Sequence, residues 1–161
     1  MSTVVKNCTI VLPNKLLKNS AVFIKGSKIS SISKKQTPKK GSIVIDARGL
    51  FVSPGFIDTH IHGEPGEIFS NEARHGTTAF VIAQSCAPTG FIRKKIDRIR
   101  KFRKSGALGS NLLGLRLEGP YINKKMAGAQ DKRFVAPPST TSFAKIIKEG
   151  RGVLKMITLA P

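Results

Sequence analysis

Tryptophan is absent from this 161-residue chain, and there is a single tyrosine. A stacking surface for nucleobases would therefore rest on phenylalanine and arginine alone. Cysteine is scarce: Cys8 and Cys86 both sit in apolar, strand-like surroundings. Two such residues read as buried thiols rather than as a disulfide. No apolar run approaches the roughly 20 residues needed to cross a bilayer. The first residues, Met1 to Cys8, lack the charged, then apolar, then small pattern of a secretory signal. These absences predict a cytoplasmic protein without a membrane partner. The most pronounced shortage is of acidic residues, 9 Asp and Glu against 28 Lys and Arg, a formal net charge of +19. Such an excess often accompanies nucleic-acid or anionic-membrane binding. Here the basic residues are spread along the chain rather than gathered in one motif, which argues against nucleic acid. A chain with a missing acidic half would show the same imbalance, and an anionic small molecule would be favoured by it.

What is present is a hydrophobic fraction of 40%, enough for a globular protein with a real core. Histidine occurs only three times, and two of the three stand in one short stretch, Phe56-Ile57-Asp58-Thr59-His60-Ile61-His62-Gly63. It reads as a buried strand ending in a polar turn. Val52, Phe56 and Ile57 supply apolar bulk, and Pro54-Gly55 lets the chain enter sharply. Side chains alternate along a strand, so His60 and His62 point to the same side. Two converging imidazoles at a strand's C-terminal end can grip a divalent metal. Taken alone, the same pattern also fits two ordinary surface histidines.

A second stretch, Leu113-Gly114-Leu115-Arg116-Leu117-Glu118-Gly119-Pro120-Tyr121, carries an apolar strand straight into Glu118. A lone carboxylate at the end of a buried strand, beside a permissive glycine, suits a residue facing a site. Together, Pro54 to Gly63 and Leu117 to Tyr121 resemble the metal-dependent amidohydrolases. Leu117-Glu118-Gly119-Pro120, with Ala127-Gly128-Ala129-Gln130 downstream, more narrowly resembles the N-acetylglucosamine-6-phosphate deacetylase family. The resemblance covers nearly the whole chain, including Gly76-Thr77-Thr78 and the closing Ile157 to Pro161.

The order of elements predicts an α/β fold, and the resemblance implies a partial TIM-type (β/α)8 barrel preceded by part of a small β-sandwich domain. Residues 1–50 form the partial β domain and residues 51–161 the first half of the barrel. In the first part, Thr9 to Val11, Ala21 to Lys25, Lys28 to Ser33 and Ser42 to Asp46 read as strands of a small antiparallel unit. Gly26-Ser27 marks a two-residue hairpin. From Leu50 the pattern changes to apolar strands separated by helices. The strand candidates are Phe51 to Asp58, Thr77 to Ala83, Leu112 to Leu117 and Val153 to Leu159. Between the second and third, Ile92, Ile96, Ile99 and Phe102 give one apolar helix face. Thr89 is its expected N-cap and Gly106 its stop. Arg93, Lys94, Lys95, Arg98 and Arg100 read as a solvated outer surface. A later helix spans about Thr141 to Lys148, with Phe143, Ile146 and Ile147 inward, Ser139 to Thr141 available as a cap and Gly150 as its end. The connection from Gly63 to Gly76 is barely long enough for a parallel crossover, which needs about a dozen residues. His75 is expected to cap its helix rather than bind metal.

The resemblance implies a hydrolase, the N-terminal part of an N-acetylglucosamine-6-phosphate deacetylase. In that reaction a metal-activated water cleaves the N-acetyl amide to give glucosamine 6-phosphate and acetate. It implies His60, His62 and Glu118 as ligands of a divalent metal, Zn or Fe, and Ala129 and Gln130 against the amino sugar phosphate. It also implies a homo-oligomeric parent. The aspartate acid/base belongs to strands beyond residue 161, and Asp58 is structural. A complete barrel takes roughly 250 residues. The expectation is accordingly a truncated gene product, a partial gene or a split protein, inactive alone. Two other readings stand beside it: another cyclic-amide hydrolase or deaminase of the superfamily, and a non-enzymatic basic binding module.

Overall fold

A computed structural model describes residues 2–106 and 111–160. The chain forms two compact units, Met1–Pro54 and Gly55–Pro161.

The first unit is built on a meander of three antiparallel strands, β1 (Ser2–Leu12), β2 (Lys15–Lys25) and β3 (Lys28–Ser33). Lys25 pairs with Lys28 across Gly26-Ser27, and Gly26 takes a φ of +60°, as a two-residue turn requires. Two further strands, β4 (Ile43–Asp46) and β5 (Phe51–Val52), both pair with β1 in parallel. The expectation of a purely antiparallel unit is therefore corrected to a mixed sheet, ordered β3-β2-β1-β4, with β5 also on β1. The cause is the irregular segment from Lys34 to Ser42. It is too long for a hairpin and carries the chain across the sheet, so β4 enters in the same direction as β1. Cys8, Ile10, Val22 and Ala47 form the buried centre of this unit, with Val5, Leu12, Leu17, Ile24 and Val52 packed around them.

The second unit is a four-stranded parallel sheet in the order β6-β7-β8-β9. Its strands are β6 (Phe56–Ile61), β7 (Thr77–Gln84), β8 (Asn111–Leu117) and β9 (Leu154–Ile157). They alternate with α1 (Pro65–Arg74), α2 (Thr89–Lys104) and α3 (Thr140–Glu149). The two central strands read as near-continuous apolar runs because both of their faces are covered. Phe80, Ile82, Leu112, Leu115 and Leu117 meet Ile68 of α1 and Ile96 and Ile99 of α2 in one core.

Four expectations change here. The single strand from Phe51 to Asp58 is broken at Ser53-Pro54-Gly55. Pro54 has no N–H to continue a ladder, so Phe51–Val52 joins the first sheet and the second begins at Phe56. The strand carrying the histidines is not buried: β6 is an edge strand, and Phe56 and Ile57 are 69% and 62% exposed. Pro88, not Thr89, occupies the N-cap of α2, because its carbonyl already accepts from the backbone N–H of Phe91 and Ile92. In α3, Ile147 is exposed, lying one residue around from the partly buried Ile146. Other expectations hold. Ser139 caps α3 by accepting from the Ser142 N–H, and His75 is the C-cap of α1. Both cysteines are buried free thiols. Among the described residues, no helix is long and apolar enough to cross a membrane.

Candidate metal centre

In a parallel sheet every strand delivers its C-terminal end to the same edge. β6 ends in His60-Ile61, with His62 one residue beyond, and β8 runs directly into Glu118. The two strands flank β7, and the three side chains meet over its end. The Nε2 atoms of both histidines approach Glu118 Oε1. His60 is in direct contact with it, and His62 stands 3.4 Å away. The imidazole rings lie 5.4 Å apart, tilted by 54°. One donor atom from each of the three residues falls within 4.8 Å of the others.

The other carboxylate oxygen, Oε2, is held from behind. Gln130 Nε2 donates to it at 2.7 Å and Ser85 Oγ at 3.3 Å. The Gln130 Oε1 atom in turn accepts the Cys86 backbone N–H at 2.7 Å. Gln130 thus ties the turn after β7 to the end of β8, and leaves Oε1 facing the imidazoles. Ala129, its neighbour, is exposed and offers only a methyl group. The side chain of Glu118 is 11% exposed, whereas both imidazoles are about half open. Burial pushes the Glu118 carboxyl up, but the Gln130 hydrogen bond and the positive fields of His62 and His60 outweigh it and hold the group below the ordinary range. The Cys86 thiol is pushed up by burial, with the Glu118 and Asp131 charges adding to it, so it stays a neutral thiol at the site's back wall.

The backbone is tight around this carboxylate. A side chain at Gly119 would run into Cys86 Sγ, so only glycine lets the chain turn away immediately after Glu118. Gly63, directly after His62, takes a φ of +136°, which L side chains rarely adopt. Asp58 accepts the His60 backbone N–H at 2.8 Å and shapes the strand end locally. His75 caps α1 and is not among the converging residues. A cavity of about 410 Å³ lies between the turn after β7 and α3, but its wall does not include His60, His62 or Glu118.

Two imidazole nitrogens and a buried carboxylate oxygen are a donor set that can hold a borderline divalent cation and leave a coordination position open. Residue reasoning missed the supporting layer. Ser85 and Cys86 follow β7 as Glu118 follows β8, and that shared position is the signal that would have found them.

No family model matches the chain. A relative from Bacillus subtilis, an N-acetylglucosamine-6-phosphate deacetylase, is 35% identical over 176 residues, covering 99% of this chain and 44% of the relative. The chain is a homologue of the N-acetylglucosamine-6-phosphate deacetylases. It spans less than half the length of the relatives it matches. The crystal structure of the Pasteurella multocida deacetylase superposes with a TM-score of 0.82 at 22% identity, over 99% of this chain and 45% of that one. A Mycobacterium smegmatis deacetylase mutant in complex with N-acetyl-D-glucosamine-6-phosphate superposes with a TM-score of 0.74 at 21% identity, over 100% of this chain and 43% of that one. The mixed sheet followed by a parallel β/α sheet thus matches the N-terminal part of these deacetylase structures.

Proposed function

We propose that this chain supplies the metal-binding part of an N-acetylglucosamine-6-phosphate deacetylase. The observation that carries the reading is the convergence of His60, His62 and Glu118 at the ends of β6 and β8, with Gln130 on the far carboxylate oxygen. When bound there, a divalent cation, Zn or Fe, supplies Lewis acidity toward water and the amide carbonyl. His60, His62 and Glu118 hold it. Gln130 fixes the carboxylate's orientation, and with Ala129 it lies where the amino sugar phosphate approaches. The positive charge of the chain favours the approach of that anionic substrate.

Amide hydrolysis also needs a group that takes the water's proton and passes it to the leaving amine. Apart from Glu118, none of the chain's acidic residues is placed for it. Asp58 is bonded to the His60 N–H, and Asp97, Asp131 and Glu149 are paired with Arg100, Arg133 and Arg93. Glu64 is paired with Lys95 and Arg98, Glu67 and Glu72 lie on α1, and Asp46 is bonded to Asn7 in the first unit. The proton shuttle is therefore assigned to the part of a deacetylase that this chain does not match.

The test has two arms. After dialysis against Zn or Fe, the chain is expected to retain metal, and a His60→Ala, Glu118→Ala double variant to lose it; equal metal content in both would overturn the assignment. Acetate release from N-acetylglucosamine 6-phosphate is expected to be negligible for the chain alone and to rise when a complementary C-terminal deacetylase fragment is added. Robust turnover by the chain alone would show that a proton shuttle is present within it.

A further inference from the structure

Lys95 was expected on a solvated helix face, yet it is 7% exposed, inside α2. A lysine is almost never fully buried unless it is paired. Its ammonium has two partners. Nζ donates to the Gly63 carbonyl at 2.9 Å and to Glu64 Oε1 at 3.0 Å. Arg98, three residues further along α2, donates to Glu64 Oε2 at 2.7 Å. Glu64 is also the N-cap position of α1, and its side chain makes no capping bond there because these cations hold it.

The consequence falls on His62. Its preceding neighbour, Ile61, packs against the hydrophobic core. Its following neighbour, Gly63, takes a backbone conformation closed to most residues, and Lys95 holds its carbonyl. His62 therefore hangs between two anchored neighbours on an otherwise exposed edge. We propose that Lys95 is a positioning residue for the metal centre: by fixing the Gly63 carbonyl, it sets where the His62 imidazole stands relative to Glu118. The inference rests on the metal-centre reading. The structural alternative is that Lys95 only fastens α1 to α2 and affects stability alone.

The two are separated by metal affinity measured beside stability. Zn²⁺ is titrated into the folded chain and into Lys95→Met, with Co²⁺ absorption as a report on ligand geometry. Lys95→Met is expected to weaken Zn²⁺ binding about 10-fold, the lower end for groups that orient metal ligands, and to alter the Co²⁺ spectrum. The control is Arg93→Met, which removes the exposed Arg93–Glu149 ion pair from the same helix; its affinity and spectrum are expected to match the unaltered chain. A folded Lys95→Met with unaltered affinity and spectrum overturns the inference. If Lys95→Met does not fold, Glu64→Gln decides. It keeps the shape but removes the charge that holds Lys95, and about a threefold loss of affinity is expected from weakening one charge-assisted bond; no loss overturns the inference. If the unaltered chain binds no Zn²⁺, the metal-centre reading itself fails, a result distinct from equal binding by both proteins.

Discussion

Replacing Gln130 by alanine tests the centre at its joint. Gln130 makes two hydrogen bonds of 2.7 Å, one donated to Glu118 Oε2 and one accepted from the Cys86 N–H. The first goes to a carboxylate, a class of bond with a net contribution of about 1.5–3 kcal/mol. Loss of the second leaves a partly buried amide unpaired, at about 1–3 kcal/mol if water does not reach it. Water does reach part of this site, since both imidazoles are half open. The expected loss is therefore about 2–4 kcal/mol, a substantial share of a domain stability of about 5–15 kcal/mol. Chemical denaturation in chelator measures it without metal. The second readout is Zn²⁺ affinity. With Ser85 Oγ at 3.3 Å as the remaining partner of Oε2, the carboxylate gains freedom to turn, and affinity is expected to fall about 10–100-fold. A third follows from charge. Gln130 helps hold the Glu118 carboxyl low against burial, so without it the group protonates more readily, and the acid limb of Zn²⁺ binding moves to higher pH. Unchanged denaturation together with unchanged affinity would refute this account of Gln130. A stability loss with unaltered affinity would reduce it to a structural tie.

Three further outcomes follow from the same structure. Gly119→Ala is expected to lose about 1–3 kcal/mol, because the new methyl meets Cys86 Sγ; adding Cys86→Ala should restore much of it, and no recovery in the double variant would mean that backbone conformation, not the clash, sets the cost. Phe80→Ala, at a fully buried position in β7, should cost about 3–5 kcal/mol by denaturation, and a loss under 1 kcal/mol would remove Phe80 from the cooperative core. Glu64, which burial pushes up but Arg98 and Lys95 hold below 4.5, should stabilise the chain relative to Glu64→Gln above that pH, with the advantage vanishing as pH falls through its lowered value; a constant difference across that range would show that its charge is not what matters.

How much of this was legible in the residues varies with what each feature depends on. The hairpin at Gly26-Ser27, the strand ending at Leu117 and the apolar stripe of Ile92, Ile96 and Ile99 are local patterns, and local patterns survive folding. The direction of β4 is not local. It depends on which strand β4 meets after the turn beyond Ser33, and a four-residue strand cannot say whether that neighbour runs parallel or antiparallel. The exposure of Phe56 and Ile57 is likewise a matter of sheet order: among the described residues, β6 has a neighbour only on the β7 side.

Lys95 is the more instructive miss. It stands three residues after Ile92 and four before Ile99, so helical spacing alone puts it on the buried stripe. Its charge suggested solvent, and its position said interior. The conflict is resolved by the Gly63 carbonyl and Glu64, which lie about 30 residues earlier in the chain and reach α2 only once β6 and α1 are in place. The same logic applies to Glu118. Its strand-end position was visible, but its pairing with Gln130 and Ser85 required three separate loops to arrive at one edge of the sheet. Charged residues at positions where periodicity demands an apolar one therefore mark the places where a fold concentrates its long-range polar contacts. The contacts at Lys95 and at Glu118 lie within two residues of the candidate metal ligands or on them.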